Sequence, residues 1–294
     1  MLIHPSWFFI LVLSIFFTAC IKDNSPSIPA YIHIENIFFE ADTSLGQGSS
    51  SSAITDAWPS VDGQLLGANN LGATFPVILD PNVSNNALRI SAGIKENGIG
   101  NTRIIYPFYE PYLEVKTLEA GKIDTFRPVL RYDTSATILV LEDFENPNQL
   151  LFTDDQDGNS NTELIHQNQE VFEGNYSGLI VLDSANLDCT VATSTHYYNL
   201  QPTGTAFPVY LELNYKTNTP FQIGVIAYYP SGSSEFIYKG GGNANDSWKK
   251  IYFNLTDEVY SSAANEFAVV LRALKYPDTE QPLIYLDNIK LLHF

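Results

Sequence analysis

Cysteine is scarce in this sequence, since Cys20 and Cys189 are the only two among 294 residues. Two cysteines cannot build the network of disulfides that holds small secreted domains together. Stability must therefore come from packed hydrophobic cores, and the chain is long enough to form two domains of ordinary size.

Positive charge is also scarce, with 15 Lys and Arg residues against 33 Asp and Glu residues and a formal net charge of -18. A chain of this charge repels the phosphate backbone of nucleic acids and the surface of anionic membranes. Nucleic acids are therefore excluded as partners, and attachment to a membrane needs a lipid group.

Catalytic motifs are missing. The sequence has no H-E-x-x-H, G-x-S-x-G or C-x-x-C pattern and no complete phosphate-binding loop. No Asp or Glu stands in a context that indicates the facing carboxylates of a glycosidase. Cys189, in "NLDCTVA", is typical of a small buried hydrophobe. The sequence therefore predicts a non-catalytic protein.

The apolar run from Trp7 to Phe17 has eleven residues, whereas a helix that crosses a membrane needs about 20. A short apolar run followed by small residues is typical of a secretory signal peptide. We expect residues 1–19 to form such a peptide, with cleavage before Cys20.

The residues around this cleavage point, "FTAC" at 17–20, resemble the lipobox of bacterial lipoproteins. The resemblance implies that Cys20 carries acyl chains such as palmitate. The polar stretch "IKDNSPSIPA" then predicts a flexible tether over residues 20–30. Its Lys-Asp pair resembles the signal that sends Bacteroidota lipoproteins to the cell surface. We expect an outer-membrane lipoprotein exposed on the cell surface, with the periplasmic face as the alternative.

Short alternating segments bounded by Gly, Pro, Asn and Asp recur about every ten residues, and helical spacing is almost absent. This pattern predicts an all-β fold. The polar junction "DTSAT" at 133–137 divides it. We expect one β-sandwich over residues 31–133 and another over residues 138–294.

In the first block, Asp62-Gly63 between strand-forming residues predicts a two-residue hairpin turn. The surrounding stretch "VDGQLLGANNLGATFPVIL" resembles PEGA and carboxypeptidase-regulatory-like modules, which implies an immunoglobulin-like β-sandwich. The low-complexity run "GQGSSSS" at 46–52 predicts an exposed loop.

In the second block, "EDFE", "VFEGNYSGLIVLD", "WKKIYFNL" and "IYLDNIKL" resemble the jelly-roll β-sandwiches of carbohydrate-binding modules and galactose-binding-like domains. The resemblance implies a structural Ca2+ between the first and last strands. Glu142, Asp143 and Asp287 would hold it together with carbonyl oxygens of the "EGNYSG" turn. The alternative is that Asp143 and Asp287 face solvent or cap turns.

Aromatic clusters are the other candidates for function. The segment "IIYPFYEPY" at 104–112 contains two prolines, which place a strand at an edge or a bulge, and we expect an exposed surface for a ligand or a partner. A second set lies in "HYYNLQP" at 196–202 and "AYYPSGSSEFIY" at 227–238, although such rings also fill cores. The candidates are Tyr106, Phe108, Tyr109, Tyr112, Tyr197, Tyr198, Tyr228 and Tyr229.

As a whole, the chain resembles two-domain surface lipoproteins of Bacteroidota, notably in "ITDAWPSVDGQLLGA" and "GIKENGIGNTRIIYPFY". The resemblance implies a non-catalytic binding or scaffolding subunit of an outer-membrane β-barrel complex for assembly or uptake. The alternative function is glycan binding in a polysaccharide-uptake system.

Removal of the lipidated thiol tests the predicted anchor. We expect Cys20→Ser to leave the membrane fraction and to lose palmitate labelling, because acyl chains supply the attachment of this acidic chain. Cell fractionation and metabolic labelling measure both effects, with Cys189→Ser as the control that keeps them. Recovery of Cys20→Ser in the membrane at wild-type yield would contradict the anchor.

Overall fold

The computed structural model describes residues 28–201 and 207–294. Regular structure in these ranges is almost entirely β-strand, and the exceptions are helix α1 (Thr256–Ser262) and a short 3-10 helix (Thr43–Leu45). The predicted all-β fold is confirmed. The predicted signal peptide, the Cys20 lipidation site and the tether up to residue 27 lie outside the described residues. No described helix is long and apolar enough to cross a membrane.

The strands before residue 135, called the first half, form three sheets. Their bounds are β1 (Ala30–Ile34), β2 (Phe38–Phe39), β3 (Asp56–Val61), β4 (Gln64–Leu65), β5 (Asn69–Asn70), β6 (Ala73–Val77), β7 (Asn86–Lys95), β8 (Arg103–Ile105), β9 (Tyr112–Lys116), β10 (Ile123–Phe126) and β11 (Val129–Leu130). The strand orders are β10-β1-β6, β11-β2 and β4-β3-β7-β8, with β5 also paired to β3 and β9 to β7. The immunoglobulin-like topology stays a prediction.

The predicted hairpin at Asp62-Gly63 is confirmed. These two residues join β3 to β4 with φ of 50° and 80°, and Val61 pairs with Gln64 across the turn. Two successive left-handed residues are the requirement of a tight hairpin turn, and Asp-Gly meets it at low cost.

The strands after residue 135, called the second half, form two sheets. Their bounds are β12 (Thr137–Glu142), β13 (Phe152–Asp155), β14 (Ile165–Gln167), β15 (Ser177–Val181), β16 (Asp188–Thr193), β17 (Tyr197–Tyr198), β18 (Val209–Thr217), β19 (Phe221–Tyr228), β20 (Ser234–Gly240), β21 (Asn245–Asn254), β22 (Glu266–Leu274) and β23 (Leu283–His293). The junction sheet has the order β14-β15-β23-β18-β21, with β12 beside β23. The outer sheet has the order β13-β16-β22-β19-β20, with β17 beside β22.

Two large hydrophobic clusters fill the molecule. One lies between the junction sheet and the outer sheet and contains Cys189, which is buried as the sequence predicts. The other fills the first half but also includes Tyr210, Tyr252 and Leu292 of the second half. Because the halves share this cluster, neither can be removed without exposing apolar side chains of the other. The predicted domain boundaries stay a prediction.

A buried carboxylate lies at the centre of the contact between the halves. Tyr106 and Tyr132 of the first half donate hydrogen bonds to the two oxygens of Glu212, over 2.6 and 3.1 Å. From the second half, Lys250 Nζ lies 2.8 Å from Glu212 Oε2. Burial raises the pKa of Glu212, but Lys250, Lys290 and the Tyr106 hydroxyl outweigh burial and hold this pKa below its usual range. The carboxylate is therefore charged and fully compensated.

The loop at 46–52 is not simply exposed, contrary to its prediction. Lys290 Nζ donates to Ser49 O over 2.6 Å, and Asn214 Nδ2 donates to Ser51 Oγ over 2.9 Å. Several of its residues are half-buried. Serine and glycine are small enough to let the loop lie against the junction sheet, where its backbone satisfies a buried lysine.

Neutralising Glu212 tests how strongly this cluster joins the halves. We expect Glu212→Gln to lower the free energy of unfolding by about 3–5 kcal/mol, because it leaves buried lysine charge uncompensated. Urea unfolding of the whole chain measures the change. Glu35→Gln is the matched control, since its ion pair with Arg127 is largely exposed and such pairs contribute little. An equal effect of the two substitutions would contradict the role of Glu212.

Candidate functional site

The outer sheet has one face on the core and one face directed away from it. Phe267, Val269 and Leu271 of β22 belong to the core, so alternate residues point outward. Paired residues of neighbouring strands share a face, and the outward residues therefore form rows across the sheet. The first row contains Asp154, Ala192, Val270, Gly224 and Tyr238. The second row contains Ala268, Ile226 and Phe236, and the third contains Tyr198, Glu266, Tyr228 and Ser234.

Small and branched apolar side chains form the floor of this surface. Ala192, Ala268 and Val270 are 0% exposed and Ile226 is 1% exposed, although all four face away from the main core. Tyr228 and Tyr238 pack against them. Because the floor side chains are short, the tyrosine rings can lie close to the sheet and cover them.

Aromatic rings flank the floor in two pairs. The rings of His196 and Tyr228 are nearly parallel, at 17°, with centroids 4.4 Å apart. The rings of Phe236 and Tyr238, on the edge strand β20, are inclined by 25° with centroids 6.4 Å apart. Phe236 is 41% exposed and Tyr198 is 57% exposed. Tyr198, Tyr228, Phe236, Tyr238 and the floor are called the aromatic face.

Polar groups border the aromatic face. His196 Nδ1 lies 2.6 Å from Glu266 Oε1, and hydrogen bonds from His196 and Tyr198 hold the pKa of Glu266 below its usual range. Arg272 Nη2 lies 3.1 Å from Asp188 Oδ2. The surface thus combines flat apolar rings with donors and acceptors that are held by neighbouring side chains.

The four tyrosines of the second half that were predicted from the sequence as candidates have two different surroundings. Tyr228 and Tyr198 lie on the aromatic face. Tyr197 pairs with Phe267 and packs against the core, where burial raises its pKa to about 12. Tyr229 also packs against the core and donates a hydrogen bond to Glu235 over 2.9 Å. Strand alternation explains why Tyr197 and Tyr198 have opposite surroundings.

The first aromatic set is not the exposed surface that the sequence predicted. Tyr106, Phe108 and Tyr109 are 1%, 0% and 6% exposed, and they fill the cluster shared by the two halves. Tyr112 is half-buried and donates a hydrogen bond to Glu114 over 2.5 Å. The prolines of this segment do interrupt the strands, but the second half covers the rings.

Sequence reasoning missed Phe236, Tyr238 and His196 as members of this surface. Phe236 and Tyr238 are two positions apart in a strand, so alternation alone places them on one face. The signal was therefore present in "EFIY". No sequence pattern places His196 against Tyr228, because that contact depends on the approach of β17 to β22.

Asp287 shows one expected feature of the predicted calcium site. It precedes a β-bulge in β23, where Asn288 has φ of 51°. Asp287 is 1% exposed and forms no ion pair within the described residues. Burial raises its pKa to about 7, against the effect of hydrogen bonds from the backbone of Glu173, Asn288 and Phe172. A divalent cation beside such a carboxylate would favour its charged form.

The other two predicted ligands fit calcium less well. Both oxygens of Glu142 accept backbone N–H groups, from Phe144 over 3.0 Å and from Leu151 over 2.9 Å. Asp143 is exposed and accepts the N–H of Glu145 over 3.1 Å. Within residues 28–201 and 207–294, no three His, Cys, Asp or Glu side chains are grouped to hold a metal ion. The calcium site stays a prediction.

No protein-family profile matches the chain, and no curated protein matches it. Solved structures do match, and carbohydrate-binding modules are among them. The family 30 module of a Clostridium thermocellum cellulosomal cellulase is 12% identical, with a TM-score of 0.41 over 53% of this chain and 96% of the module. The CBM22-1 xylan-binding domain from Paenibacillus barcinonensis is 11% identical, with a TM-score of 0.38 over 55% of this chain and 96% of the domain.

A third match, to a carbohydrate-binding module of the β-sandwich superfamily, covers 90% of this chain and 99% of the other at 11% identity and a TM-score of 0.36. Because all three TM-scores are below 0.5, the ligands of these proteins assign no ligand to this chain.

Melting in calcium and in a chelator tests the calcium prediction. We expect the whole chain to melt several degrees higher in millimolar Ca2+ than in EDTA, since a ligand in hundredfold excess over its Kd stabilises by about 2.7 kcal/mol. Asp287→Ala should remove this difference, and Glu142→Ala or Asp143→Ala should reduce it. Equal melting temperatures of the wild-type chain in the two conditions would leave these acids as hydrogen-bond acceptors only.

Proposed function

We propose that this chain is a non-catalytic glycan-binding protein whose binding surface is the aromatic face of the outer sheet. The observation that carries the proposal is the set of rings of Tyr228, Phe236 and Tyr238, which lie on the outward side of the sheet over or beside a buried apolar floor. The faces of sugar rings carry C–H groups, and aromatic rings pack against such apolar surfaces in an offset, nearly parallel arrangement.

Exposure of the rings supports the proposal. Large aromatic side chains of a soluble protein are usually buried, yet Phe236 and Tyr198 expose 41% and 57% of their surface. Their neighbours on the floor are fixed by strand pairing, so the rings lie on a rigid sheet. A preformed surface loses little conformational entropy when it binds a ligand.

The polar border supplies what a glycan needs besides stacking. Sugar hydroxyl groups both donate and accept hydrogen bonds, and Glu266, His196, Asp188 and Arg272 offer both kinds of partner. Each of these side chains is already oriented by a neighbour, Glu266 and His196 by a hydrogen bond and Asp188 and Arg272 by an ion pair. The border therefore favours neutral, hydroxyl-rich ligands over ligands whose charges are all of the same sign.

The predicted acyl anchor at Cys20 is part of this proposal. The acyl anchor at Cys20 would hold the aromatic face outside the cell, where polysaccharides are accessible. A scaffolding role in an outer-membrane β-barrel complex stays the second prediction, but no described surface identifies such a partner. The aromatic face therefore favours glycan binding.

A panel of soluble polysaccharides in affinity electrophoresis tests the proposal with the whole chain. We expect at least one neutral polysaccharide to retard the protein. Phe236→Ala and Tyr238→Ala should each weaken binding about tenfold or more, because stacking and buried ring area are lost. Tyr228→Ala should weaken it as well, since it removes the ring that covers the floor.

The control for ring loss is Tyr260→Ala, because Tyr260 is 46% exposed but lies on α1. This variant should bind as the wild-type chain does. Absence of binding to every polysaccharide, or equal binding by the Phe236, Tyr238 and Tyr260 variants, would contradict the proposal.

A further inference from the structure

A positively charged cavity lies where the end of β7 meets the edge strand β21. Its volume is about 340 Å3, and residues of both halves line it. This size is within the range of pockets that bind small molecules. The polar and charged lining includes Thr55, Lys95, Asn243, Lys249 and Lys250.

The chain after β7 is held in place by the second half. Glu96 forms a parallel bridge with Tyr252, and Asn97 N donates to Tyr252 O over 2.8 Å. In return, Asn254 N donates to Asn97 Oδ1 over 2.9 Å. These contacts extend the junction sheet past β21 by a short segment, so Lys95 has a fixed position beside this strand.

The carboxylate of Glu96, which follows Lys95 in the chain, is bound on the other face of the junction sheet. Glu96 Oε1 accepts a hydrogen bond from Asn254 Nδ2 over 2.8 Å and another from the hydroxyl of Tyr210. Its side chain therefore points to the face that contacts the first half. Lys95 precedes Glu96, so strand alternation directs its side chain to the opposite face. Lys249 lies on that same face, because it pairs with Tyr215 of the core cluster.

The lysines of this cavity differ in how their charge is balanced. Lys250 is compensated by Glu212, 2.8 Å away. Nine Lys and Arg side chains of the described residues form ion pairs, whereas Lys95 and Lys249 form none there. Among the residues that the structure describes, no Asp or Glu lines the cavity. Two uncompensated lysines beside one cavity are unexpected in a chain with 33 acidic residues.

We infer that this cavity binds the anionic group of a small ligand, a carboxylate or a sulfate. Lys95 and Lys249 supply charged donors, and hydrogen bonds between ammonium groups and oxyanions are among the strong ones. Thr55 and Asn243 add neutral polar groups, while Ile251 and Tyr215 add apolar surface for the rest of the ligand. The inference is independent of the aromatic face, which lies on the outer sheet.

Binding of galacturonate and of inorganic sulfate tests the inference. Isothermal titration calorimetry of the whole chain at constant ionic strength should detect saturable binding of at least one of these anions and no response to sodium chloride. Lys95→Gln and Lys249→Gln should each weaken binding about tenfold or more, since each removes a charged hydrogen-bond donor. The anion that binds more tightly identifies the preferred group.

Arg89→Gln is the matched control, because Arg89 also forms no described ion pair but lies six residues before Lys95, about 20 Å along β7. It should bind as the wild-type chain does, and Lys249→Arg should retain most of the affinity. Failure of both anions to bind, or equal affinity of the Lys95, Lys249 and Arg89 variants, would overturn the inference. Loss of polysaccharide binding at the aromatic face would leave it unaffected.

Discussion

The ionised Glu212 between the two halves is the interaction on which the rest of the structure depends. Burial lowers the pKa of Lys290 to about 8, so its ammonium group is unfavourable alone, and burial raises the pKa of Tyr106 and Tyr132, which therefore stay neutral hydrogen-bond donors. Together they compensate one another, with hydroxyls from the first half and ammonium groups from the second half. A buried charge that needs partners from both sides fixes the relative position of the halves.

This contact determines which surfaces remain for ligands. The junction sheet uses its outward face to hold the first half, through Tyr210, Glu212 and Leu292. The outer sheet has no such partner within the described residues, so its outward rings are available at the surface. The same contact brings the end of β7 to β21 and thereby creates the positive cavity. Both candidate sites are thus consequences of how the halves meet.

Period-two patterns predicted the parts of the structure that depend on local sequence. The all-β fold, the Asp62-Gly63 hairpin and the burial of Cys189 follow from turn chemistry and hydropathy, and the structure confirms them. The alternation that puts Phe236 and Tyr238 on one face was also readable. These features need only a few neighbouring residues to be decided.

Long-range contacts determine the features of the structure that could not be predicted from the sequence. Tyr106 and Phe108 look like an exposed edge in the sequence, because nothing local indicates that the junction sheet covers them. The partners of Glu212 are separated from it by 80 and 106 positions in the chain. The surroundings of Asp287 likewise depend on a bulge and on a distant turn, so its identity as an acid says little about its charge.

The net charge of -18 and a positive cavity are compatible because electrostatic effects are local in salt solution. At physiological ionic strength, exposed charges farther apart than the Debye length of about 8 Å are largely screened. A small anion inside the cavity is governed by Lys95 and Lys249, whereas a long polyanion also meets the other charges of a chain with an excess of acidic residues. The chain can therefore exclude nucleic acids, as its composition predicts, and still bind a single carboxylate or sulfate group. Selection between small and extended anions follows from where the few lysines lie and not from the total charge.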